Sequence, residues 1–247
     1  MRPSLLICPV GRPVPTHPDF DNKNHWRYGG LVDGYEVMAV CYNDDFVPER
    51  ESYTWLYRQY GMKWAIAKSL LEKFDLKDFK QYEYIGFIDD DLLMTKADVT
   101  SCLNRAHELN SKLFQLSVDK NSDCWYKILY QNDLLEYSTT NFIEIMAPFI
   151  HTDKMPLLKK FWDSYDINCG WGLDSILCYI LMESATVFHD VSMIHPKKQE
   201  SGYDKAQAFL ESSLVLNSIY PAFMQKEYGI DAPQVGDQKI ISRKVRN

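Results

Sequence analysis

No C-x-x-C pair joins the six cysteines, Cys8, Cys41, Cys102, Cys124, Cys169 and Cys178. That absence removes the knuckle and redox motifs that need such spacing and leaves reduced thiols, mostly buried as small hydrophobes. No apolar run reaches 18 residues, so nothing in the sequence reads as a membrane-spanning helix. The opening MRPSLLICPVGRPVP has too short an apolar stretch for a secretory leader, and the bland expectation is a cytoplasmic protein. Basic stripes are missing outside KIISRKVRN at the C-terminus. With 27 basic against 34 acidic side chains and a net charge of −7, nucleic acid is not the expected partner. A nucleotide held through a metal stays open, because the ion brings the positive charge. There is no internal repeat and no low-complexity tract. What the chain does have is 46% hydrophobic residues and 14% aromatics, with 16 Tyr and 6 Trp among its 247 residues. That is enough for a sizeable core and for rings that contact ligands.

Strand-like runs alternate with helix-like ones. SLLICPV (4–10), YEVMAVCY (35–42), YIGFI (84–88), LFQLSV (113–118), NFIEIMAPFI (141–150) and TVFHDVSMI (186–194) read as strands. Residues 52–74 read as helical, with Trp64, Ala67, Leu71 and Phe74 at helical spacing and Gly61 as a break. Further helices are expected near 96–110, behind a capping-box start at Thr95 and Asp98, near 155–165, near 172–183 and over 204–219. The polar, aromatic HPDFDNKNHWRYGG reads as a loop facing a ligand. This pattern predicts a three-layer α/β sandwich around a mainly parallel mixed sheet. We expect one domain over 1–247: a core to about 200, a helical extension over 201–230 and a loose tail over 231–247.

Asp89, Asp90 and Asp91 stand where YIGFI ends. Ligands in such sheets sit at the carboxyl ends of strands, and three adjacent carboxylates repel unless a cation or donors hold them. Strand alternation would put Asp89 and Asp91 on one side and Asp90 on the other, a hard oxygen site for Mg²⁺ or Mn²⁺. A solvated turn capping the next helix is the plain alternative. The haloacid-dehalogenase D-x-D-x-T/V pattern fits less well, because Leu93 stands where Thr or Val would be.

Two further clusters follow. In CGWGLDSILCYIL, Gly170 and Gly172 flank Trp171, whose indole suits the C–H face of a sugar, and Asp174 falls in the first turn of a helix. The alternative is a helix start with a structural Trp. In VFHDVSMIHP, His195 precedes Pro196 at a strand end and could complete a site begun by aspartates; His189 has less positional support. Glu144, inside FIEIMAP, alternates with Phe142 and Met146. A carboxylate there is costly unless paired. It either holds an acceptor hydroxyl or a cation, or it ties down a loop.

YIGFIDDDL, FIEIMAP, CGWGLD and VFHDVSMIHP, in this order, resemble nucleotide-sugar glycosyltransferases of the GT-A fold. More closely, with MKWAIAKSLL, they resemble a family of plants and bacteria catalogued as a domain of unknown function, over residues 60–200. The resemblance implies a Rossmann-related fold. It implies transfer of a sugar from a nucleotide-diphosphate sugar to a carbohydrate or other hydroxyl acceptor, with inversion. It carries Asp89, Asp91 and His195 over as ligands of Mn²⁺ or Mg²⁺, Asp174 as the base and Trp171 with Gly172 as sugar contacts. Cys169 stands where the family usually has His. Val10, Gly11 and Arg12 are expected at the nucleotide, with Asp90 at the ribose. A non-catalytic carbohydrate- or nucleotide-binding protein on the same fold and a metal-dependent hydrolase stay open.

Overall fold

The computed structural model describes residues 2–16, 20–122, 124–196 and 204–246. The strands are β1 (Ser4–Val10), β2 (Tyr35–Cys41), β3 (Trp55–Arg58), β4 (Tyr84–Phe87), β5 (Leu113–Val118), β6 (Leu135–Thr140), β7 (Phe149–His151), β8 (Ala185–Met193) and β9 (Ile240–Val245). The helices are α1 (Lys63–Lys73), α2 (Leu76–Phe79), α3 (Lys96–Glu108), α4 (Met155–Trp162), α5 (Leu173–Ile180), α6 (Lys205–Leu214) and α7 (Tyr220–Tyr228). All nine strands form one sheet in the order β3-β2-β1-β4-β7-β5-β8-β6-β9. β3, β2, β1 and β4 pair in parallel, as do β5 and β8, while β7 and β6 run against their neighbours. Every strand except β6 and β7 therefore points the same way, and the expected mixed, mainly parallel sheet is present.

The central strands are apolar throughout because both faces are covered. One face carries a core of Leu5, Ile7, Phe87, Trp64, Trp162, Ile176 and Phe223 under α1, α4, α5 and α7. The other carries Leu6, Cys8, Trp26, Phe114, Phe149 and Phe188 with Val99, Cys102 and Leu103 of α3. Helix α3 starts as its sequence predicts. Thr95 Oγ1 accepts from the Asp98 amide at 3.0 Å, and Asp98 accepts from the Thr95 amide at 3.0 Å.

Four expectations need correction. The helix read over 52–74 begins only at Lys63, and Trp55–Arg58 is an edge strand on β2. Trp55, Leu56 and Tyr57 are good strand formers, and the buried helical period starts at Trp64. Residues 141–148 are an irregular arm rather than a strand. Their apolar side chains are buried except Ile145, which is partly so, but the Ile143 amide donates to the Asp174 carbonyl and the Glu144 amide to Gln115 Oε1. Periodicity cannot see where such backbone bonds go. The tail read as loose contributes β9, whose exposed side chains give no apolar pattern, paired antiparallel to β6. The last helix continues past 219, through a π turn at Val215–Ile219 into α7, with Pro221 in the first turn of α7. Residues 201–203 of the expected extension, and 17–19 of the expected ligand-facing loop, lie outside the described residues.

Candidate functional site

The parallel strands deliver their carboxyl ends to one rim. β1 ends at Val10, which is buried, and its carbonyl accepts from the Tyr42 amide just past β2. β4 ends at Phe87, two residues before the aspartates. β8 ends beside them, because Leu93 and Ile194 exchange two backbone hydrogen bonds of 2.9 Å and so bring His195 alongside Asp91.

The aspartates do not sort as strand alternation predicts, because the chain leaves the sheet at Ile88 and turns at 90–91. Asp90 and Asp91 both face Arg12. Asp90 Oδ1 lies 3.2 Å from Arg12 Nε, and Asp91 Oδ2 lies 3.7 Å from an Arg12 terminal nitrogen. Asp90 Oδ2 also accepts from the Gly11 amide at 3.0 Å and from the Tyr42 hydroxyl at 3.4 Å. Burial raises the Asp90 pKa, against the pull of the Gly11 amide and Arg12. Asp89 turns the other way and pairs with Lys63 Nζ at 2.7 Å. Lys63 also donates to the Ile145 carbonyl, so it fastens the 141–148 arm to the end of β4. The Asp89 amide adds a 2.9 Å bond to the Met146 carbonyl.

His195 Nε2 stands 3.7 Å from Asp91 Oδ2, and the His195 amide donates to Ser122 Oγ at 3.0 Å. Among the described residues no group of three or more His, Cys, Asp and Glu side chains is placed to hold a metal. Of the three expected ligands, then, Asp91 and His195 come together and Asp89 does not join them. The pair still fits a hard divalent ion. Two metal–ligand bonds of about 2.1 Å span up to about 4.2 Å, and such ions commonly use one or two protein carboxylates with substrate phosphates and water completing the shell.

Asp174 sits in the first turn of α5 and is fixed on both oxygens. Oδ1 accepts from the Ser175 amide at 2.8 Å and the Ser175 hydroxyl at 3.3 Å, and Oδ2 accepts from the Tyr126 hydroxyl at 3.2 Å. Burial raises its pKa, and these donors pull it back. Glu144, on the arm between the two aspartate groups, keeps some accessible surface yet is packed round by protein. Burial first, then the charge of Asp174, raise its pKa to about 8, opposed by Lys63. The charges of Asp89 and His195 also act on it, the first raising and the second lowering its pKa. Glu144, raised to about 8, is therefore mostly protonated at neutral pH, while Asp174 has three donors set against its burial.

The glycines around Trp171 have separate tasks. Gly170 has φ +81°, and a Cβ there would lie 2.2 Å from Trp64 Cδ1. Gly172, at φ +94°, opens α5 in the left-handed region. Trp171 itself packs edge-to-face on Phe209 of α6, with centroids 4.9 Å apart. The segment before it is held from the same helix. Glu211 accepts from the amides of Asn168, Cys169 and Gly170 at 3.2, 2.9 and 2.9 Å. Cys169 has its thiol pKa raised to about 11 by burial. His189 is a buried side chain bonded to Ser138 Oγ at 2.9 Å.

Sequence reasoning missed Lys63, Tyr42, Tyr126, Gln115 and Glu211. Lys63 alone carried a signal: a lysine in the first turn of a helix opposes the macrodipole, and that cost is offset by Asp89. No disulfide is formed among the six cysteines, and no helix among the described residues is long and apolar enough to cross a membrane.

No family model matches this chain, and no curated protein does either. Among solved structures, the chain is similar to residues 1–349 of S. aureus TarS at 12% identity and TM-score 0.49, over 91% of this chain and 73% of that one. A longer S. aureus TarS structure matches at 12% identity and TM-score 0.47, over 93% of this chain and 44% of that one.

Proposed function

We propose that this chain is a glycosyltransferase that moves a sugar from a nucleotide-diphosphate donor to a hydroxyl acceptor, with inversion. The observation that carries the reading is the division of labour at one rim. Asp91, His195 and Arg12 gather at the ends of β4, β8 and β1, and the arm carrying Glu144 ties Asp174 to this rim: Ile143 bonds the Asp174 carbonyl and Lys63 joins the Ile145 carbonyl to Asp89.

The donor lies over Val10, Gly11 and Arg12. Asp91 and His195 would hold Mn²⁺ or Mg²⁺ there, and the ion would supply charge neutralisation to the diphosphate. Arg12, half exposed, offers a second cation to the same group. Asp90 pins the Gly11–Arg12 loop in place instead of reaching freely for a ribose. Asp174 accepts the acceptor's proton as its oxygen attacks the anomeric carbon; the bond to the diphosphate oxygen breaks, and that oxygen keeps the electron pair. Glu144, protonated, donates a hydrogen bond to an acceptor hydroxyl. General-base help of this kind is worth about 10²–10⁴-fold.

The test is thermal stability with nucleoside diphosphates, with and without Mn²⁺, followed by sugar transfer to glycan acceptors. Saturation at about 100 times the dissociation constant stabilises by about 2.7 kcal/mol. Stabilisation by a nucleotide that depends on Mn²⁺, together with acceptor-dependent turnover, supports the reading. One observation favours a second reading, a glycosidase: Glu144 lies on the arm bonded to the Asp174 backbone and feels the Asp174 charge, so two carboxyl groups are close together, and glycoside hydrolysis uses such a pair. Substrate consumption without an added acceptor sugar would select it.

A further inference from the structure

Arg27 is fully buried at 0% exposure, in the turn Trp26–Tyr28, and no carboxylate of the described residues pairs with it. Its Nη1 donates to the Arg12 carbonyl at 3.4 Å, while Nε and Nη2 have no hydrogen-bond partner. Nε and Nη2 form one edge of the guanidinium, the edge that grips a two-oxygen anion side-on. A buried, unpaired charge is among the most costly features a fold can keep.

The surroundings hold this arginine rigidly at the donor end. The Trp26 indole N–H donates to the Leu92 carbonyl at 3.0 Å, and the Trp26 amide donates to the Met94 carbonyl at 3.0 Å. The Tyr35 hydroxyl donates to the Trp26 carbonyl at 2.9 Å. Arg27 is thus tied to the segment directly after Asp89–Asp91 through Trp26 and to the Arg12 backbone through Nη1. The charge is felt at Cys8 in β1 and Cys41 at the end of β2. Glu49 and Glu51 act on the neighbouring Tyr28, but neither forms an ion pair with Arg27.

We propose that Arg27 is a second diphosphate-binding residue, whose Nε–Nη2 edge grips a phosphoryl oxygen pair of the donor once the Arg12–Pro15 segment moves aside. The ligand's identity rests on the donor reading above; the anion site itself does not. Arg27 holds this segment through the Nη1 bond to the Arg12 carbonyl, and its Nε and Nη2 are buried. A bound diphosphate takes over both the fork and the cationic side chain of Arg12.

The experiment measures thermal shift and affinity for inorganic pyrophosphate, nucleoside diphosphates and plain nucleosides, in the parent, Arg27→Met and Arg27→Lys. Arg27→Met should fold with equal or higher stability, since it removes a buried charge without a partner. Its affinity for pyrophosphate and nucleoside diphosphates should fall about tenfold to a hundredfold, the range for hydrogen bonds to charged groups. Arg27→Lys keeps the charge but not the fork and should also bind more weakly. Hydrogen exchange on the parent gives a readout independent of any variant: pyrophosphate should change protection of the Gly11 and Val14 amides. Parent-like diphosphate affinity in either variant overturns the proposal while leaving the donor reading standing. If pyrophosphate binds through Arg27 and nucleoside diphosphates do not, the anion site stands and the nucleotide donor falls. If no diphosphate binds the parent, both fall.

Discussion

At the scale of single residues, Glu144 and Asp174 make the sharpest claims, because burial raises both carboxyl pKa values while only Asp174 has three donors opposing it. The Glu144 pKa is raised to about 8 from an ordinary value near 4.5. Between those values the folded chain holds a proton that the unfolded chain has released, so unfolding free energy falls as pH rises. The contribution is fully present below about pH 4.5 and is lost by the time pH passes 8. Glu144→Gln cannot ionise. Its urea stability relative to the parent should therefore rise from about pH 5 to about pH 9, by an amount on the order of a few kcal/mol. A flat difference across that range would mean Glu144 is already ionised in the fold. Asp174→Asn tests the other carboxyl. It keeps the carbonyl that accepts from Ser175, so the fold should hold, while transfer should drop about 10²–10⁴-fold. At the metal pair, Asp91→Asn should abolish Mn²⁺-dependent turnover and leave thermal unfolding in the absence of metal nearly unchanged. Parent-rate transfer by that variant would remove Asp91 from the metal.

At the scale of elements, α6 acts on the site without touching the rim residues. Its Glu211 sits in three consecutive backbone amides of the segment leading to Trp171, Gly172 and Asp174. Such a backbone nest binds a carboxylate well. Glu211→Ala leaves the nest open, so the segment should loosen. We expect a fall in kcat larger than any change in donor KM, a shift in Trp fluorescence as Trp171 loses its seat on Phe209, and partial rescue of both by added acetate. Donor affinity weakened as much as kcat would mean that α6 supports the whole rim. Elements also mark how far the sequence could be read. Asp89–Asp91, Asp174 and His195 were legible because carboxylates at a strand end and in a helix's first turn break the surrounding apolar pattern. Their pairing was not. Alternation assumes the strand continues, and it stops at Phe87, so Asp89 goes to Lys63 while Asp90 and Asp91 go to Arg12. The 141–148 arm looked like a strand because it is equally apolar. Its backbone bonds run to Gln115, Asp174 and the end of β4, partners distant in sequence that no local period reveals. Arg27 and Glu211 were invisible for the same reason, since each is defined by what lies across space from it.

At the scale of the whole molecule, the sheet separates stability from chemistry. The rim uses the ends of β1, β2, β4 and β8, whereas β9 lies at the far edge, paired only with β6 and mostly exposed. Removing residues 237–247 deletes that ladder and the bonds Asn141 makes to Lys239 and Asp237. It leaves every polar contact described for Arg12, Asp90, Asp91 and His195 in place. β6 then becomes an edge strand with unpaired backbone groups, which lowers stability and invites association. The truncated chain should melt several degrees lower, since about 1 kcal/mol corresponds to about 2–4 °C in a domain of this size. Its Mn²⁺-dependent nucleotide affinity, measured well below the melting point, should stay within about threefold of the parent, because sites this far apart behave independently. Asn141 sets the limit of that independence. It opens the arm that carries Glu144, so freeing it should show first in acceptor KM, with donor binding unchanged. Loss of donor binding on truncation would mean that the two halves of the sheet are energetically coupled through β8, the strand that pairs with β6 and ends at the residues leading to His195.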